Sequence, residues 1–227
     1  MSTENTRSAR STEPTTDRGL RLVPVLLALT TVSGLIDAVS YLGLGHVFTA
    51  NMTGNVVVLG FAAAGAPGFS VPHTLTSLLA FMLGAAVGGR IALRLGRGPR
   101  RTWVRRTLAA EALLLAASTV VAFAAPDDTA TVYTLIAVTA FAMGLRNATV
   151  RKLGVADLTT TVLTMTLTGL AADGPGTHRA RRTAAVVAMI AGAAVGAWLV
   201  DDHGLGIPLL VSTVLVGVLA VTASGRE

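Results

Sequence analysis

The chain contains no cysteine, so neither a disulfide framework nor a thiolate metal site is available, and redox chemistry gives no reading of its compartment. Aromatic residues are scarce at 4%, and charged residues make up only 13% of the 227 positions, against 52% hydrophobic. Several apolar runs reach the roughly 20 residues that cross a bilayer as helix, which argues against a soluble globule. Ala, Val, Leu, Gly and Thr dominate, the composition of membrane helices that approach closely through small residues.

Lysine is nearly absent too. Seventeen arginines and the single Lys152 outweigh 12 acids to give a formal net charge of +6. These bases gather at the ends of apolar runs, with no stripe interleaved with aromatics, so they read as topological signals in a lipid bilayer and not as a nucleic-acid surface. Enzymatic signatures are missing as well. His46, His73, His178 and His203 are scattered without metal-ligand spacing, and no Walker, Rossmann or nucleophile-elbow pattern occurs. The expectation is a non-enzymatic chain with no cofactor and no metal, whose transport, if it has any, is secondary or facilitated.

What is present is a succession of eight apolar segments. Residues 1–21 are rich in Ser, Thr, Arg and Glu and read as a disordered cytoplasmic tail. The next run is too long for a signal-peptide core and lacks a small-residue cleavage site, so it stays as a span. Segments follow at about 22–45, 47–65, 73–95 and 104–125, then 131–150, 158–172, 183–200 and 205–223, with residues 224–227 a cytoplasmic C-terminus. The halves, 22–125 and 126–223, resemble each other. Gly34-Leu35-Ile36-Asp37-Ala38 falls on Gly144-Leu145-Arg146-Asn147-Ala148, and the run GAAVG occurs at both Gly84–Gly88 and Gly192–Gly196. Thr49 and Thr53 fall on Thr160 and Thr164, so three anchors keep their order at separations of 108 to 111.

Charge orients the halves. Six arginines lie between Arg94 and Arg106, Arg146, Arg151 and Lys152 cluster at the end of segment five, and Arg179, Arg181 and Arg182 follow segment six. All three groups are expected on the cytoplasmic side, while Asp127/Asp128 and Asp201/Asp202 are read as outward loops without bases. This is possible only if segments two and six begin and end on one side. The reading is an all-α integral membrane protein of six transmembrane helices plus two re-entrant or broken helices, in an inverted 3+3 repeat.

Polar residues concentrate at the breaks. Thr30, Ser33, Asp37 and Ser40/Tyr41 form one stripe on an otherwise apolar helix, and a dry Asp37 could load and release a proton in a coupled cycle. The simpler alternative is structural: Asp37 bonds free amides of a broken helix or pairs with an arginine. The cluster Thr49-Ala50-Asn51-Met52-Thr53-Gly54-Asn55 offers helix caps ahead of an apolar run, and its second-half counterpart supplies Thr160, Thr161 and Thr164. Asn147 stands where a second acid would be, so a symmetric acid pair is absent. Candidate solute contacts are therefore Asp37, Tyr41, Thr49, Asn51, Thr53, Asn55, Asn147, Thr160, Thr161 and Thr164. Arg146, Arg151 and Lys152 are expected to anchor the cytoplasmic interface, and Glu111 to pair with Arg90 across a helical hairpin.

The run GLIDAVSYLGLGHVFTANMTGNVVVLG (34–60), followed by GLRNATVRKLGVADLTTTVLT (144–164), resembles the YoaK-like family of bacterial multi-pass membrane proteins, a domain of unknown function. The likeness runs from about Pro24 to Val221. Gly34, Asp37, Phe48, Asn51, Thr53, Gly54 and Asn55 carry it, with Asn147 and the Thr160/Thr161/Thr164 cluster. It implies a bacterial inner-membrane protein of about six spans and brings no substrate, cofactor or catalytic residue. The expected function is secondary transport of a small molecule or ion, with a membrane sensor or assembly partner as the alternative.

Overall fold

Among the described residues, five helices are long and apolar enough to cross a membrane, and three further apolar helices are shorter. A computed structural model describes residues 22–95, 100–126, 128–153, 163–174 and 176–222. It contains α1 (Leu22–Gly43), α2 (Met52–Ala63), α3 (Val71–Leu95), α4 (Arg100–Ala124), α5 (Thr129–Leu153), α6 (Leu163–Ala172), α7 (Thr177–His203) and α8 (Gly206–Thr222), with no strand among the described residues. The expected termini, Asp127, Thr160 and Thr161 lie outside those residues. At 1.5 Å per residue, α2 and α6 are about 18 and 15 Å long, roughly half a hydrocarbon core.

Some boundaries differ from expectation. The second apolar segment is helical only from Met52, because left-handed Gly45 (φ 84°) and His46 (φ 59°) turn the chain out of α1 and Asn51 caps a new helix. Asp201 and Asp202 are not in a loop: they lie in the last turn of α7, which continues to a stop at Gly204 with φ 68°. Arg179, Arg181 and Arg182 likewise belong to the first turns of α7, and Arg105 and Arg106 to α4. Arg151 and Lys152 close α5, where positive charge suits the helix C-terminus.

Packing follows the small residues. Helix α1 lies along α7 and α3 along α5, while α4 packs between α8 and α5. In the first pair, a Cβ at Gly34 would strike the Met189 carbonyl and one at Gly192 the Thr31 carbonyl. In the second, a Cβ at Gly144 would strike the Phe81 carbonyl and one at Gly84 the Phe141 carbonyl. Gly196 sits on Leu35 and Ala38, Gly88 on Leu145 and Ala148. Each contact of one pair is repeated in the other at sequence offsets of 108 or 110. Large apolar side chains such as Leu79, Met82, Leu113, Val120 and Ile190 are left on the outside, as lipid-facing surface requires.

Candidate functional site

The site begins where α1 ends. Between α1 and α2 the chain has no helical ladder, and within a membrane its backbone groups must find partners in the protein. Asp37 Oδ1 accepts the amide of Thr49 at 3.1 Å and that of Ala50 at 2.8 Å. Asn55 holds the preceding residue as a strand partner would: its Oδ1 accepts the Phe48 N–H at 2.8 Å and its Nδ2 donates to the Phe48 carbonyl at 2.6 Å. Ser77 of α3 donates to the same carbonyl at 2.6 Å. Asn51 caps α2, its Oδ1 accepting the Gly54 amide at 3.4 Å. Thr49 is buried and donates to Ser40 Oγ at 3.4 Å. Tyr41 stacks on Phe48 with ring centroids 4.8 Å apart and meets His46 edge-on.

The two ends of the α2 segment approach each other. The His46 ring nitrogen Nδ1 lies 3.1 Å from the Gly68 carbonyl oxygen, and the ring also contacts Phe69. Residues on either side of α2 are thereby joined.

A second polar centre lies deeper between α1, α4 and α5, and the sequence reading missed it. Arg146 is 1% exposed and Glu111 is fully buried. Arg146 Nε donates to Glu111 Oε1 at 2.8 Å, and Nη2 pairs with the same oxygen. Its Nη1 reaches across to α1, donating to Ser33 Oγ at 2.9 Å and to the Leu29 carbonyl at 3.0 Å. Arg146 is therefore not an interfacial anchor, and Glu111 does not pair with Arg90. The reason is packing: α3 runs along α5 and leaves Arg90 exposed, while α4 faces α5 and places Glu111 opposite Arg146. A signal was available, since both residues sit more than a turn inside their apolar helices with opposite charge. Ser33 is one turn from Asp37 on α1.

The remaining candidates are not gathered here. Thr53 lies on the exposed face of α2 and Thr164 on the exposed face of α6. Asn147 donates to the Met143 carbonyl at 3.0 Å and lines a separate cleft of about 810 Å³ between α3 and α5, together with Arg151 and Lys152. Among the described residues, no group of three His, Cys, Asp or Glu is placed to hold a metal ion.

The family described as protein of unknown function (DUF1275) matches residues 25–222, which take in the break, the buried ion pair and nearly all the helical chain. The chain belongs to this family. The chain is also similar to the UPF0700 transmembrane protein YoaK of Bacillus subtilis (strain 168), 38% identical over 154 residues, 66% of this chain. The match spans 65% of the length of that relative. No solved structure matches the chain. Family membership and apolar helices together identify a membrane-embedded protein, in agreement with the resemblance read from residues 34–60 and 144–164.

Proposed function

We propose that this DUF1275 protein is a secondary transporter or permease for a small solute, with Asp37 as its coupling or recognition acid. The observation that carries the reading is the pair of hydrogen bonds donated by the Thr49 and Ala50 amides to Asp37 Oδ1, which tie a membrane-depth charge to the geometry of a broken helix. Intramembrane acids and unwound segments of this kind are where transporters bind and couple solutes. Asn51 and Asn55 shape the same break, and Thr49 and Tyr41 pack it.

The architecture proposed for this function is six spans, α1, α3, α4, α5, α7 and α8, with α2 and α6 as half-length elements. Three spans per half make the halves inverted. Two features support this: the glycine contacts of α1 on α7 repeat in α5 on α3, and the His46–Gly68 contact closes α2 into an excursion from one side. The ends bearing Arg94, Arg105, Arg151 and Arg179 would then face the cytoplasm of a bacterial inner membrane, with both termini on that side.

One observation favours a second reading, a membrane sensor or assembly partner. Asp37, Asn51 and Asn55 all bond within the protein, as a purely structural break requires. The two readings part in a thermal-shift screen of purified protein against amino acids, sugars, carboxylic acids and inorganic ions. Transport predicts a solute whose stabilisation is lost in Asp37→Asn. A stable protein complex and no stabilising solute favour the sensor or assembly role.

A further inference from the structure

We infer that Glu111 is a proton-binding site at membrane depth, so that the coupling ion of the transport reading, on which this deepening rests, is a proton. Three charged side chains are buried among the described residues: Asp37, Glu111 and Arg146. Two acids share one base, which leaves one uncompensated negative charge if all three are ionised. Such a charge is costly at membrane depth, and taking up one proton removes it.

The hydrogen bonds say where that proton goes. Asp37 Oδ1 already accepts two backbone amides. Both Glu111–Arg146 contacts fall on Glu111 Oε1, while the buried Oε2 has no partner. Glu111 and Arg146 line a cavity of about 10 Å³, room for one water. The other walls are apolar side chains of α1, α4 and α5, with Thr107 and Thr149, whose hydroxyls donate to their own helices at the Trp103 and Leu145 carbonyls. A metal cation needs several oxygen ligands, and Oε2 is the one buried side-chain oxygen here without a partner. A proton needs one.

The lining also places the cavity in the bundle. Val25 near the start of α1, Val104 near the start of α4 and Leu153 at the end of α5 line it, so it lies toward the end of the bundle where those termini meet. A proton passing from a hydronium there forms an O–H bond at Oε2; the water remains, and no other bond forms or breaks. The charged group facing Glu111 is Arg146 from α5; on α1 the Arg146 guanidinium meets Ser33, and Asp37 lies one turn further along that helix. Helix α8 carries no ionisable side chain, and Arg90 of α3 is exposed. With Glu111 neutral, one buried base and one buried acid remain, and the net buried charge is zero.

Infrared spectra of the full chain in lipid nanodiscs, made by cell-free synthesis with glutamate ¹³C-labelled at its carboxyl groups, test this without mutation. The other glutamates, Glu4, Glu13 and Glu227, lie at the chain ends. At about pH 7 an ordinary glutamate is ionised. The proposal predicts a ¹³C-shifted protonated-carboxyl band at that pH, lost on alkaline titration, absent in Glu111→Gln and present in Asp37→Asn. Labelled glutamates that show only carboxylate bands overturn it. If the band is present but no solute moves in proteoliposomes, the transport reading fails and the proton site stands. Asp37-dependent solute flux without the band has the opposite meaning.

Discussion

Asp37 and Asn55 solve one problem by different means. Asn55 saturates both backbone groups of Phe48 with a neutral amide, whereas Asp37 uses charge to hold two amides at once. Hydrogen bonds to an ionised acceptor contribute about 1.5–3 kcal/mol each, and neutral ones about half that. Asp37→Asn keeps an acceptor and is expected to lower stability by about 1–2 kcal/mol, while Asp37→Leu leaves both amides unpaired and should cost about 2–6 kcal/mol. Thermal unfolding in detergent checks the order; equal losses would mean that the charge itself does not hold the break. Sequence reasoning found Asp37 because a lone acid in an apolar run is conspicuous, and its bonding to a broken helix was one of the two roles considered. It missed the Glu111–Arg146 pair because proximity in the chain pointed to Arg90, and only the lateral order of the helices shows that α4 faces α5.

At the scale of elements, the bundle is set by backbone contacts at glycine. Gly84 and Gly192 occupy corresponding positions in α3 and α7, and a Cβ at either meets a backbone carbonyl that cannot yield as a flexible side chain would. Gly84→Ala and Gly192→Ala are expected to destabilise by similar amounts, about 1–3 kcal/mol each. Gly217→Ala in α8, where nothing lies within 4 Å, should be neutral or slightly stabilising. The same thermal assay reads all three, and unequal losses at positions 84 and 192 would count against equivalent pairings. These helices were legible because apolar length and repeated GAAVG runs are local properties. The start of α2 was legible in part: residues 49–55 were read as helix caps and Asn51 is the N-cap, but the apolar segment was begun at Val47, because Val47–Ala50 is apolar enough to continue a helix and only the turn at Gly45 and His46 diverts it.

For the whole molecule, the proposed topology makes α2 an excursion from one face. The lack of native cysteine allows single-cysteine labelling without background substitutions. Cysteines replacing His46, Pro67 and Asp128 are expected to react with an impermeant maleimide from the outer face of oriented vesicles, and those replacing Arg94 and Arg151 only from the inner face. His46 and Pro67 labelling from opposite faces would make α2 a full span and remove the inverted arrangement. With orientation fixed in this way, the central claim is best tested by flux in proteoliposomes loaded with a pH-sensitive dye. An imposed proton gradient is challenged with amino acids, sugars, carboxylic acids and inorganic ions in turn. At least one solute is expected to collapse the gradient in wild type, and Asp37→Asn, inserted and folded, is expected to abolish the effect. Solutes that move equally well through Asp37→Asn, or a wild-type protein that moves none of them, would contradict it.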